Sequence, residues 1–240
     1  MSDAELTTRA VLLAVKRQTI KAYLSRLDVK TAAAYELHVW AYMREFFTSG
    51  DAFAFLDSMA NEIENQFTRA WNEGAREMGV EPGDMSEDDL LILEDLIVTE
   101  QNFLDGIAGD IEEYIAEGGH TDAEFNARFR ARAGLWANGY NSMVTQAKLH
   151  FGDRDKLEWV LGATEQHCET GQNGRPGIGC KDLAGMVLYA REWVEAGVKP
   201  QSSSTNCGGW ECQCELRPTT KRRTPDGLGR LLDMMTAANV

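Results

Sequence analysis

Apolar residues recur at steps of three and four over long stretches of this chain, a spacing that predicts α-helix because it keeps one face apolar. From 51 to 78 the series is Phe53, Leu56, Ala60, Ile63, Phe67, Trp71, Gly74 and Met78. A second run, Leu90, Leu93, Ile97, Leu104, Ile107, Ile111 and Tyr114, keeps these steps except where polar Glu100 takes the seam position. Ser86 with Asp89 forms an approximate capping box at its start, and Gly118-Gly119 stops it after Ala116 or so. A third helix is predicted to start at Thr121, with Glu124 three residues on. It presents Phe125, Phe129, Trp136, Tyr140, Met143 and Ala147 and ends near Gly152. At 1.5 Å per residue, rods of about 28 to 32 residues would be roughly 42 to 48 Å long, so an elongated bundle is expected.

Upstream, residues 31–47 read as another helix, and residues 5–26 mix Leu6, Leu13, Ile20, Leu24 and Leu27 with Arg9, Lys16, Arg17, Lys21 and Arg26 as a basic amphipathic one. After Gly152 the period changes. Lys156 to Leu161 alternates like a short strand, Glu169 to Gly179 is rich in Gly and Asn, Leu183 to Gly197 supplies a little helix, and Glu211 to Leu216 a second strand. Trp159, Trp193 and Trp210 are the expected core there. The predicted fold class is mainly α: an elongated bundle of long helices followed by a small irregular α+β cysteine-rich module. The segments are an N-terminal helical one (1–48), the bundle (49–152), the cysteine module (153–218) and a basic, then apolar, C-terminal tail (219–240).

Charge narrows the partners. The 240 residues hold 24 Lys and Arg against 38 Asp and Glu, a formal charge of −14. Residues 45–117 alone hold 20 acids and 2 bases, which would repel a phosphate backbone, so any DNA contact is expected at the basic ends, Arg9 to Arg26 and Lys221 to Arg223. No apolar run approaches the roughly 18 residues of a membrane span, and no secretory apolar region opens the chain, so no membrane contact is expected.

Candidate chemistry is concentrated in five cysteines: Cys168, eleven residues, Cys180, twenty-six residues, Cys207, four residues, Cys212, one residue, Cys214, with His167 beside the first. An odd number without an export signal argues for reduced thiols or metal ligands over a disulfide framework. A module of about 60 residues is where a structural Zn²⁺ would add needed stability. An extended backbone sends Cys212 and Cys214 to the same face. Five thiols exceed four places: either one cysteine, Cys207, stands outside the shell, or Cys207 replaces one of the later two.

Trp159-Val160-Leu161-Gly162, Thr164-Glu165-Gln166-His167-Cys168, Gly197-Val198-Lys199-Pro200-Gln201 and Cys207-Gly208-Gly209-Trp210-Glu211-Cys212-Gln213-Cys214 resemble the C-terminal part of the head morphogenesis (minor head) proteins of tailed bacteriophages, the phage Mu F-type family. With the stretch Arg130 to Ala147, the resemblance covers roughly residues 50 to 218. The family pattern usually has a tight Cys-x-x-Cys at its first cysteine; here position 171 is Gly171, and the second cysteine comes only at Cys180, after a glycine-rich insertion. The resemblance implies a virion component of the phage head, assembled in the host cytoplasm and present in several copies. It would contact portal and major capsid proteins in head assembly or genome delivery, without catalysis.

An enzymatic alternative is a zinc-dependent hydrolase acting on nucleic acid, with zinc activating water beside His167 and Glu165 shuttling protons. Against it, none of His38, His120, His150 and His167 pairs with another at the i, i+4 spacing of a metallohydrolase helix, and the chain has no phosphate loop or nucleophile elbow.

Overall fold

Residues 32–118, 121–163, 167–170, 177–208 and 212–238 are described by a computed structural model. The basic segment 5–26, His120, Glu165, most of the glycine-rich insertion and Trp210 lie outside them. Among the described residues the protein is mainly helical, with a small sheet and a cysteine cluster toward the C-terminus.

Helix α1 runs Ala32–Ser49, α2 Ala52–Glu77, α3 Glu87–Gln101, α4 Leu104–Glu117 and α5 Asp122–Phe151, with a 3-10 turn at Pro82–Asp84. The local signals act as expected at two starts. The Ser86 N–H donates to Asp89 Oδ2 at 2.7 Å while the Asp89 N–H donates to Ser86 Oγ at 3.2 Å, and Thr121 and Glu124 exchange the same pair at 2.7 and 3.3 Å.

One expectation is corrected. The rod predicted through Leu90 to Ala116 is two helices, α3 of 15 residues and α4 of 14, joined at Asn102-Phe103. The Phe103 N–H turns back to the Glu100 carbonyl at 3.1 Å, a tighter reach than the α-helical one, while the Gln101 amide donates to the Ala60 carbonyl at 3.1 Å. The break falls beside Glu100, the one polar seam position, whose carboxyl is pushed up from its ordinary range by burial.

The chain forms two compact units. The first takes described residues from 32–66 and 95–133. Its interior is aromatic: Phe125 stacks on Phe47 at 4.3 Å and on Trp40 at 5.6 Å, and Phe129 meets Tyr114 edge-on at 5.5 Å.

The second unit takes 67–94 and the described part of 134–240. There α2 and α5 approach so closely at Gly74 that an added Cβ would lie 2.4 Å from the Val144 carbonyl oxygen. Beyond α5 come β1 (Lys156–Val160), α6 (Cys180–Leu183), β2 (Val187–Tyr189), α7 (Ala190–Ala196), β3 (Glu215–Pro218) and α8 (Gly227–Ala238). The strands form an antiparallel sheet in the order β2-β1-β3, with Leu157 opposite both Leu188 and Pro218. Trp159 and Trp193 are fully buried, 5.6 Å apart, and the Trp193 indole donates to the Leu157 carbonyl at 3.2 Å.

The C-terminal residues complete this core. Leu231 is fully buried, and Leu228 and Met235 pack against the same cluster, so most of the terminal apolar face is spent inside the unit. Lys221 pairs with Glu158 at 2.6 Å, and the Arg223 guanidinium clasps both Glu192 oxygens.

Candidate metal centre

Two connections, β1 to α6 and α7 to β3, and one short helix carry the five cysteines. Cys168 lies beyond β1, Cys180 opens α6, Cys207 follows the loop after α7, and Cys212 and Cys214 lead into β3. Backbone bonds sew these segments together. The Lys181 N–H donates to the Cys168 carbonyl at 3.2 Å, and Ile178 bridges Thr205, with the Asn206 N–H donating to the Ile178 carbonyl at 2.9 Å.

Such close approach depends on missing side chains. A Cβ on Gly162 would sit 2.2 Å from the Gln213 carbonyl oxygen, and one on Gly179 would sit 2.4 Å from the Thr170 nitrogen. These two glycines let the cysteine-bearing loops close on one another.

The result is two groups of three. The sulfurs of Cys168, Cys180 and Cys207 lie within 4.8 Å of one another, as do those of Cys180, Cys212 and Cys214. Cys180, Cys212 and Cys214 are buried, and Cys168 and Cys207 half-buried. The Cys180–Cys212 separation is 4.0 Å, against about 3.8 Å between sulfurs of a tetrahedral site with Zn–S bonds of about 2.3 Å. His167 Nδ1 is 3.9 Å from Cys214 Sγ. The donor set is soft and concentrated, and Cys180, Cys212 and Cys214 are placed to hold a metal ion.

Cys207 does not stand apart: it shares a group with Cys168 and Cys180. Cys212 and Cys214 are both buried with Gln213 exposed between them, the alternation of an extended chain.

The thiols share their protons unequally. Hydrogen bonds from Cys168, Cys180 and Cys212 hold Cys207 far toward the thiolate. Those from Cys180 and Cys212 bring Cys214 down to about 2. Cys180, bonded to Cys168, Cys207, Cys212 and Cys214, is pushed up strongly. These opposite shifts have one cause, the hydrogen bonds that the thiols make to one another.

The surroundings support the thiolates further. The Cys180 N–H donates to Cys168 Sγ at 3.2 Å, and the Gly162 N–H donates to Cys214. Gln201, in the left-handed region at φ 54°, donates its side-chain amide to the Cys212 carbonyl at 3.2 Å and also to that of Cys214. The sequence names Gln201 only as the last residue of the resembling stretch Gly197 to Gln201, with no role of its own. Its role becomes visible only when the chain brings position 201 beside the Cys-x-Cys pair.

No protein-family model, curated protein or solved structure matches this chain.

Proposed function

We propose that this chain is a structural minor head protein of a tailed bacteriophage, whose C-terminal module is stapled by zinc bound to the cysteine cluster. One observation carries the reading. The described parts of all four resembling stretches, Trp159 to Gly162, His167-Cys168, Gly197 to Gln201 and the Cys207 to Cys214 segment, belong to one module and meet around its cysteines. Residues separated by up to 46 positions, Cys168 to Cys214, converge there, as ligands of a shared metal would.

The chemistry supports a structural part for the metal. Thiolates surrounded by backbone N–H donors and buried tryptophans hold a closed, electron-rich shell around Zn²⁺, the pattern of a site that ties loops together. The acidic segment 45–117 suits docking on protein surfaces rich in Lys and Arg, as portal and capsid chains would have to provide. Contact with DNA is left to the basic ends. There Lys221 and Arg223 are already paired with Glu158 and Glu192.

Two measurements test the reading. Purified protein is expected to contain zinc, and Cys212→Ser to lose it together with about 3 kcal/mol of module stability, a fall in Tm of roughly 6–12 °C. Coexpressed with the portal and major capsid proteins of its own genome, the chain is expected to copurify with assembled heads and to dissociate at high salt. Heads that assemble normally and never retain the chain would remove the phage-head assignment while leaving the metal staple standing.

A further inference from the structure

We propose that the cysteine cluster holds two soft metal ions, with the Cys180 thiolate bridging them. The inference rests on the metal-staple reading above and goes beyond it in number and arrangement. The five thiols do not form one group of four with a spare; they form two triads that share Cys180, with Cys212 also hydrogen-bonded to Cys207. That is the layout of two coordination sites joined through one sulfur. Cys168 and Cys207 would be the terminal ligands of one ion, and Cys212 and Cys214 those of the other.

Burial agrees. Cys180 is the most buried of the five, at 1% exposed, as a central bridge must be, with Cys212 and Cys214 at 5% and 2%. Beside the inner triad, His167 Nδ1 lies 3.9 Å from Cys214 but outside the group that the three sulfurs form. The outer triad is flanked by the Thr205 hydroxyl, 3.3 Å from Cys207.

The sites would differ in exchange. The inner ion, held by buried Cys212 and Cys214, is the slower to leave; the outer one, reached past Cys168 and Cys207, is stripped first by a mild chelator.

The test uses the full chain, freed of metal, reduced and titrated with cadmium, read by native mass spectrometry and cadmium NMR. The expected result is two cadmium ions per chain, giving two resonances with scalar coupling through a shared sulfur and all five thiols protected from alkylation. Cys168→Ser, at the rim, should remove the outer ion alone and leave one uncoupled resonance. Saturation at one cadmium, with one resonance and a fifth thiol open to alkylation, overturns the two-ion arrangement and leaves the single-metal staple intact. Binding of no cadmium overturns both.

Discussion

Lys148 and Glu77 meet 2.7 Å apart, with the lysine side chain only 2% exposed and the carboxylate 37%. The same ammonium donates to the Leu216 carbonyl at 3.1 Å. A buried cation on α5 thus links α2 to the last strand of the sheet. Its charge is tolerated because a carboxylate and a carbonyl both face it.

Lys148→Ala is expected to destabilise the protein by about 2–4 kcal/mol in denaturant titration, because it leaves a cavity and an unsatisfied carbonyl. Lys148→Met keeps most of the volume and should cost less. Equal losses for the two variants would show that filling the space counts for nothing and the polar links for everything.

Gln201 offers a finer probe of the metal centre. Gln201→Gly keeps the left-handed turn but removes the amide that holds the Cys212 and Cys214 carbonyls. Metal affinity is expected to fall about tenfold or more, read by competition with a chromophoric chelator, while helix content by circular dichroism stays the same. Unchanged affinity would mean that the Cys-x-Cys segment orients itself.

Two glycines predict opposite signs. Gly74→Ala drives a Cβ to 2.7 Å from Ala147 Cβ as well as into the Val144 carbonyl, and is expected to cost about 1–3 kcal/mol by forcing the helices apart. At Gly109, inside α4, an added Cβ meets nothing within 4 Å, so Gly109→Ala should stabilise by about 0.5–1 kcal/mol. Thermal melts of the two variants decide.

The Arg223 guanidinium beside Glu192 holds its carboxyl below the ordinary range, helped by the Tyr189 N–H at 2.9 Å. A carboxylate depressed on folding contributes stability above its unfolded pKa of about 4.3, and that contribution fades as pH falls through the lower folded value. Glu192→Gln should therefore be less stable than the parent at pH 7, with the gap closing below about pH 4. A gap that is constant with pH would assign the effect to packing.

Much of this was readable from residue spacing, and the failures have identifiable causes. Steps of three and four marked α2 and α5 well, and the Ser86/Asp89 and Thr121/Glu124 pairs fixed the starts of α3 and α5, because both signals are local. The break at Asn102-Phe103 escaped because Ile97 and Leu104 keep the seam in phase across it and neither Gly nor Pro marks it. Strand β2 escaped because three residues are too few to show alternation. Lys148 carries no sign of burial in its own neighbourhood, since its partners lie 71 and 68 positions away. The cysteines announced a cluster, but its division at Cys180 depends on loops whose closure no spacing rule encodes.

The pairing of Lys221 with Glu158 and Arg223 with Glu192 changes what the C-terminal region looks like from a distance. Counted along the chain, 221–223 is a concentration of positive charge; in the folded protein two of its three cations are opposed at close range by carboxylates from β1 and α7. Their fields largely cancel beyond a Debye length of about 8 Å at physiological salt. A polyanion diffusing toward the protein would meet little attraction there, and the acidic helices would repel it. A basic partner would be drawn in by those helices at a rate that salt should slow steeply. Neutralising Lys221 by mutation would then not erase a basic patch but uncover Glu158, making the surface more acidic than before.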